Sequence, residues 1–179
     1  VVVATGVTPR TIDIEGHDHP KVVSYLDVLE GRVIPGTKVA IIGAGGIGFD
    51  VAEFLAEAGP SATLDTTRWM SEWGVDADFQ APGGLVPAHP EPAARKLWLL
   101  QRTAGKPGAR LGKTTGWIHR ATLKAKGVKM LGGVEYLGVD DAGLHVRVDG
   151  SEQTLPVDHV VICAGQESRR GLFDALQAN

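Results

Sequence analysis

Three glycines with fixed spacing carry the clearest chemical signal in the chain. They lie in Gly43-Ala44-Gly45-Gly46-Ile47-Gly48, directly after Lys38 and the apolar run Val39, Ala40, Ile41 and Ile42. A buried strand, a glycine turn and an apolar helical pattern thus follow one another without a gap. In a phosphate-binding turn of this kind Gly43 allows the tight bend and Gly45 lets backbone approach a pyrophosphate. Gly48 lets helix and strand pack closely. The helix start then aims unpaired N–H groups at phosphate oxygens. The chemistry expected is the binding of a dinucleotide.

A second set of residues bears on which dinucleotide. The fingerprint expects an acid about 20 residues further on, at the tip of the second strand, to bond a ribose 2′-hydroxyl. Asp65 has that spacing, but no strand precedes it. The good second strand, Leu97 to Leu100, ends instead at Gln101-Arg102, with Lys106 and Arg110 behind it. Arg102 and Lys106 suit a 2′-phosphate, so NADP(H) is expected over NAD(H). The run Gly108-Ala-Arg-Leu-Gly-Lys-Thr114 imitates a nucleotide-triphosphate loop. It has three residues between its glycines where that loop needs four, and no strand leads into it.

The remaining reactive types do not assemble a second centre. His17 and His19 lie in a loop beside Pro20, and His89, His119, His145 and His159 are scattered. His119 reads as a packing or capping residue. Cys163 is the only cysteine, at a strand end beside the expected nicotinamide crevice, and reads as a small buried hydrophobe. With one cysteine there is no disulfide framework, no redox pair and no thiolate metal site. No nucleophile with a base and no carboxylate pair stands out, so no catalytic residue is expected.

These groups need a scaffold, and the apolar pattern supplies one. Residues 1–5 read as a buried strand ending at Gly6, with Pro9 closing it, and the chain looks like an excised piece that starts in mid-strand. Ser24 is placed to cap a short helix through Leu29 that Gly31 ends. After the fingerprint, Val51, Ala52, Phe54, Leu55 and Ala58 have helical spacing up to Gly59-Pro60. Residues 60–94 hold five prolines and read as an insertion, with a short helix near residues 68–73. A helix over about residues 115–126 and a third strand at 128–131 follow. A meander of strands at 134–139, 144–148 and 153–157 leads to a last strand at 159–163. The fold class expected is α/β, a Rossmann-like dinucleotide-binding domain whose central parallel sheet is flanked by helices, with a β-meander. Within it, residues 1–35 form an edge or linker, 36–165 the core, and 166–179 a return segment.

Composition limits the partners. The 179 residues carry a formal charge of −3 and 43% hydrophobic content, which fits one ordinary domain. The longest apolar runs are strand-sized, and no charged n-region with an apolar stretch opens the chain, so no membrane association is expected and the default setting is cytoplasmic. Ten of the 18 basic residues fall between residues 92 and 134, where there is no Asp or Glu. No nucleic-acid motif accompanies them. A phosphorylated small molecule is the better match than nucleic acid.

Several long runs carry a resemblance. V-V-V-A-T-G-V-T-P-R (1–10) resembles the segment at which the FAD domain of two-dinucleotide flavoproteins passes to its NAD(P)H domain. V-V-I-C-A-G-Q-E-S-R-R (160–170) resembles the return crossing. More closely, D-H-P-K-V-V-S-Y-L-D-V-L (18–29), K-V-A-I-I-G-A-G-G-I-G-F-D (38–50), L-G-K-T-T-G-W-I-H-R (111–120) and G-V-K-M (127–130) resemble bacterial NADPH-dependent 2,4-dienoyl-CoA reductase. So do E-W-G (72–74) and G-G-L (83–85) in the insertion. The resemblance covers almost the whole chain. It implies an NADP(H) domain inserted in a FAD-binding unit of a larger enzyme with an FMN barrel and a four-cysteine iron–sulfur cluster. Hydride would pass from NADPH to FAD, and electrons onward to FMN, where a dienoyl thioester is reduced. It also implies that Thr5, Gly6, Ala164, Gly165 and Gln166 approach FAD, and that the partners are the FAD-binding and FMN-barrel domains. Neither the barrel's acid–base residues nor the cluster cysteines are here, so the piece alone would bind NADP(H) without catalysis. Other old-yellow-enzyme-type reductases, trimethylamine dehydrogenase-like proteins and a non-catalytic dinucleotide sensor stay open. Thioredoxin reductase is disfavoured, since its C-x-x-C cannot be made from one cysteine.

Overall fold

A computed structural model describes residues 2–178 of the chain. Ten strands and five α-helices follow one another: β1 (Val7–Pro9), β2 (Val22–Ser24), α1 (Tyr25–Leu29), β3 (Lys38–Ile42), α2 (Gly46–Ala56), α3 (Thr66–Trp73), β4 (Lys96–Leu100), α4 (Gly116–Ala125), β5 (Lys129–Leu131), β6 (Glu135–Asp140), β7 (Gly143–Val148), β8 (Ser151–Leu155), β9 (His159–Ile162), β10 (Gln166–Ser168) and α5 (Gly171–Gln177).

The centre is a five-stranded, all-parallel sheet in the order β2-β9-β3-β4-β5. Its inner strands read as unbroken apolar runs because both faces are covered. In β3 and β4 every residue after the leading lysine is buried. Alternate residues serve different cores. Val39, Ile41, Leu97 and Leu99 pack with Phe49, Val51 and Leu55 of α2 and Leu123 of α4. Ala40, Ile42, Trp98 and Leu100 face the other way and meet Val139, Leu144, Val146 and Leu155 of the antiparallel meander β6-β7-β8. This is the expected Rossmann-like α/β class. Successive strands leave β3 in opposite directions, β4 on one side and β9 on the other. The strand order therefore reverses at the carboxyl end of β3, where such sheets place a ligand crevice.

Local signals explain most boundaries. Ser24 caps α1, its Oγ accepting from the Asp27 N–H at 3.1 Å, and Gly31 follows with φ +73°. Asp65 caps α3 through the Arg68 N–H, and Gly74 in the left-handed region ends it. Helix α2 stops at Ala56, before Gly59-Pro60. There Arg95 Nη1 donates to the Leu55 carbonyl at 3.0 Å and the Ala94 N–H to the Ala56 carbonyl at 2.9 Å.

Four elements differ from the sequence expectation. Residues 2–5 form no strand, and Val1 lies outside the described residues; Val2 is 93% exposed, because this apolar run meets no partner strand here. The strand starts later, at Val7, and pairs antiparallel with β10 through Val7–Ser168 and Pro9–Gln166. Val22–Ser24, inside the stretch read as edge or linker, is instead an outer strand of the central sheet beside β9. Helix α5 was not expected and none of its residues is buried. Among the described residues no helix is long and apolar enough to cross a membrane.

Candidate functional site

The crevice predicted by the strand order exists as a cleft of about 850 Å³. One wall is the fingerprint. Gly43 holds φ +113°, its N–H donates to the Leu100 carbonyl at 2.8 Å, and a β-carbon there would meet the Cys163 carbonyl oxygen at 2.6 Å. Gly45 and Gly46 are exposed to the cleft, and a β-carbon on either would have nothing within 4 Å. No side chain caps α2 at Gly45, so its leading N–H groups have no partner inside the helix. The wall therefore offers bare backbone donors, helix-dipole charge and free volume in one place, which fits a pyrophosphate.

The opposite end follows β4. Gln101 and Arg102 stand at its tip, and Gln101 Nε2 donates to the Thr103 and Gly105 carbonyls at 2.9 and 3.3 Å, shaping the loop. That loop brings Lys106 and Arg110 to the cleft beside Arg102. It is anchored from beneath: Gly108, φ +73°, is buried where a β-carbon would meet the Phe49 ring at 2.6 Å. Arg120 Nη1 on α4 donates to the Gly108 carbonyl at 2.7 Å. Asp13 is the one carboxylate lining the cleft, against Arg10, Arg102, Lys106 and Arg110. Asp65 is away from it, occupied in capping α3. The residues present fit a dinucleotide with an extra anionic group at the β4 end.

The third side is the end of β9. Cys163, Ala164, Gly165 and Gln166 line the cleft, and Gly165 has φ +100°. Arg10 crosses it: its N–H donates to the Gly165 carbonyl at 3.1 Å and its guanidinium lies beside the glycine. Burial pushes the Cys163 thiol up to about 12, so it is a protonated, buried group and no nucleophile. Gln166 Nε2 donates to the Tyr25 hydroxyl at 3.3 Å.

Of the residues singled out from the sequence, Gly43, Ala44, Gly45, Gly46, Ile47, Arg102, Lys106, Ala164, Gly165 and Gln166 share this cleft. Gly48 is buried beneath it, packing α2 on β3. Thr5 and Gly6 lie outside, on the β1–β10 ribbon, where the Arg169 N–H donates to the Gly6 carbonyl. His119 Nδ1 sits 2.8 Å from Glu53 Oε1, joining α4 to α2, in keeping with a packing role. The basic block is divided up by the fold. Buried Lys126 pairs with Glu57 at 3.2 Å, Lys96 lies over Trp98, and Arg95 caps α2. Three of its members reach the cleft. Sequence reasoning missed Arg10 and Tyr136, which line the cleft from distant segments; no local pattern marks either. Among the described residues no group of three or more His, Cys, Asp or Glu is placed to hold a metal.

Comparison with known proteins agrees with this geometry. The family described as pyridine nucleotide-disulphide oxidoreductase matches residues 1–179. The chain belongs to that family. As a member of this pyridine-nucleotide oxidoreductase family, whose cofactors are FAD and NAD(P)H, it is similar to a metal reductase of Desulforamulus reducens, 32% identical over 179 residues. That match covers 99% of this chain and 25% of the relative. A cinnamate reductase of Clostridium sporogenes is 47% identical over 64 residues, 36% of this chain and 9% of that protein. Among solved structures, a 2-naphthoyl-CoA reductase superposes with TM-score 0.71 at 23% identity, over 97% of this chain and 21% of its own. At that identity the likeness speaks for the fold. The chain spans about a quarter or less of the length of these relatives.

Proposed function

We propose that this chain is the NADP(H)-binding domain of a longer flavoprotein oxidoreductase and presents NADPH to an FAD held largely by the neighbouring FAD-binding domain. The observation that carries the reading is the pairing of a bare glycine wall with Arg102, Lys106 and Arg110 after β4, three cations in a cleft that Asp13 alone of the carboxylates lines. Gly45, Gly46 and Ile47 would receive the pyrophosphate. Arg102 and Lys106 would hold the 2′-phosphate, the first by a bidentate fork and the second as a point charge. NADPH supplies a hydride when bound. This chain's own part is to bind and orient it, with Ala164, Gly165 and Gln166 at the end where the flavin would approach.

For the whole protein we propose reduction of 2,4-dienoyl-CoA thioesters, as in the β-oxidation of unsaturated fatty acids, with FMN in a barrel domain and an iron–sulfur cluster outside this chain. The long runs at 38–50 and 111–120 support that reading. A second reading, the same domain in a reductase with another final acceptor, is favoured by the match to a metal reductase over 99% of this chain.

Calorimetric titration of the chain with NADPH and NADH, repeated with Arg102→Ala, tests the cofactor assignment. NADPH should bind tighter, and the variant should lose that preference. Equal binding of both, or an unaltered preference in the variant, rules out the 2′-phosphate assignment.

A further inference from the structure

The Tyr136 phenol oxygen is fully buried and has no hydrogen-bond partner among the described residues. Buried tyrosine hydroxyls almost always find one, so this group calls for a partner that the chain itself does not contain. Its place narrows the choice. Tyr136 lines the cleft, and together with Arg102, Asp13 and Ile14 it also lines an adjoining recess of about 260 Å³. It therefore stands where the two cavities meet, next to the arginine at the tip of β4.

The strand carries a device that aims it. Between Tyr136 and Gly138 the pairing of β6 with β7 shifts: Tyr136 faces Val146, whereas Gly138 faces His145. Such bulges break the regular alternation and re-aim a side chain. The ring packs against the meander-side core, a task phenylalanine would do as well. The hydroxyl is the part that packing does not explain. Burial raises its pKa, with Arg102 opposing the rise, so the group is a neutral O–H donor at ordinary pH.

We infer that the Tyr136 hydroxyl is a further ligand-binding group of the cleft, donating to the same phosphate oxygens that Arg102 meets. The inference rests on the NADP(H) reading above. Arg102 is exposed and lines the same two cavities as Tyr136, so an anion paired with it would lie beside the phenol. Tyr136 thereby becomes a determinant of NADPH over NADH contributed by the meander, not by the loop after β4.

The test is the conservative variant Tyr136→Phe, titrated with NADPH and with NADH and followed by thermal unfolding without ligand. NADPH affinity should fall about tenfold, the scale of a lost hydrogen bond to a charged group. NADH affinity should stay within about twofold, below the cost of any hydrogen bond. The unfolding temperature should not fall, since no protein–protein hydrogen bond is lost. Unchanged NADPH affinity overturns the inference while leaving the NADP(H) reading intact. An equal loss for both dinucleotides overturns the phosphate contact. If the unaltered chain binds neither dinucleotide, the NADP(H) reading falls and this one with it.

Discussion

A β-carbon on Gly48 would stand 1.7 Å from the carbonyl oxygen of Gly43. The first turn of α2 thus rests on the turn that ends β3, and backbone on both sides leaves no room to give. Gly48→Ala should destabilise the chain by about 1–3 kcal/mol, as overpacking does, read as a lower denaturant midpoint. Gly45→Ala meets open space. It should fold normally and weaken dinucleotide binding, because the methyl group takes up the approach to the phosphates. A Gly45→Ala chain that binds NADPH as tightly as the original would count against the glycine wall as the pyrophosphate site.

Arg120 holds the loop that bears Lys106 and Arg110 without itself lining the cleft. Arg120→Met keeps the aliphatic stem and removes the guanidinium's bond to the Gly108 carbonyl, a loss of about 1.5–3 kcal/mol. NADPH affinity should fall severalfold with the circular dichroism spectrum unaltered, and added salt should not restore it. Unaltered NADPH affinity would show that the loop is held by Phe49 and Leu111 alone.

Cys163 should be inert. With its thiol raised to about 12 by burial, the thiolate fraction at pH 8 is minute. Ellman's reagent should find no thiol in the folded chain and one per chain in denaturant. Rapid labelling of the folded chain would show that the end of β9 opens to solvent.

Asp158 gives a predicted pH dependence. Its Oδ2 accepts from the Lys38 N–H at 2.9 Å and from the Thr37 hydroxyl at 3.2 Å. The first of these bonds chiefly holds its carboxyl below the usual carboxylate range. A folded value below the unfolded one stabilises above the unfolded pKa, and the gain is lost as pH falls through the folded value. Asp158→Asn should therefore be less stable than the original at pH 7, and the two unfolding curves should approach each other below about pH 4. A constant gap from pH 7 to pH 3 would show that the carboxylate's charge plays no part.

Much of this molecule is visible in the letters because the inner strands are buried on both faces. Val39 to Ile42 and Leu97 to Leu100 show as continuous apolar runs for that reason, and the glycines after Ile42 mark the turn. The outer strand Val22–Ser24 is short and half-buried, so no run announces it, and it joins the sheet only by pairing with β9, over a hundred residues away. Helix α5 carries Leu172, Phe173 and Leu176 at helical spacing but leaves them exposed, and seven residues are too few for the pattern to stand out. Arg102 and Lys106 could be placed because β4 ends just before them. Tyr136 could not, since its position in the cleft depends on a bulge and on the long return of the meander.

The roots of the 60–94 segment meet at the hydrogen bond from the Ala94 N–H to the Ala56 carbonyl. A segment whose two ends are already tied together alters the stability of its host only weakly as it grows, since doubling a loop costs about 0.6 kcal/mol of closure entropy. Distance along the chain and distance in space are uncoupled at this point. Arg102 can thus sit 54 positions after Gly48 and still line the same cleft as the glycine turn. A ruler laid along the sequence would have stopped at Asp65, which caps α3 away from the cleft; the ladder between β3 and β4 is the measure that holds.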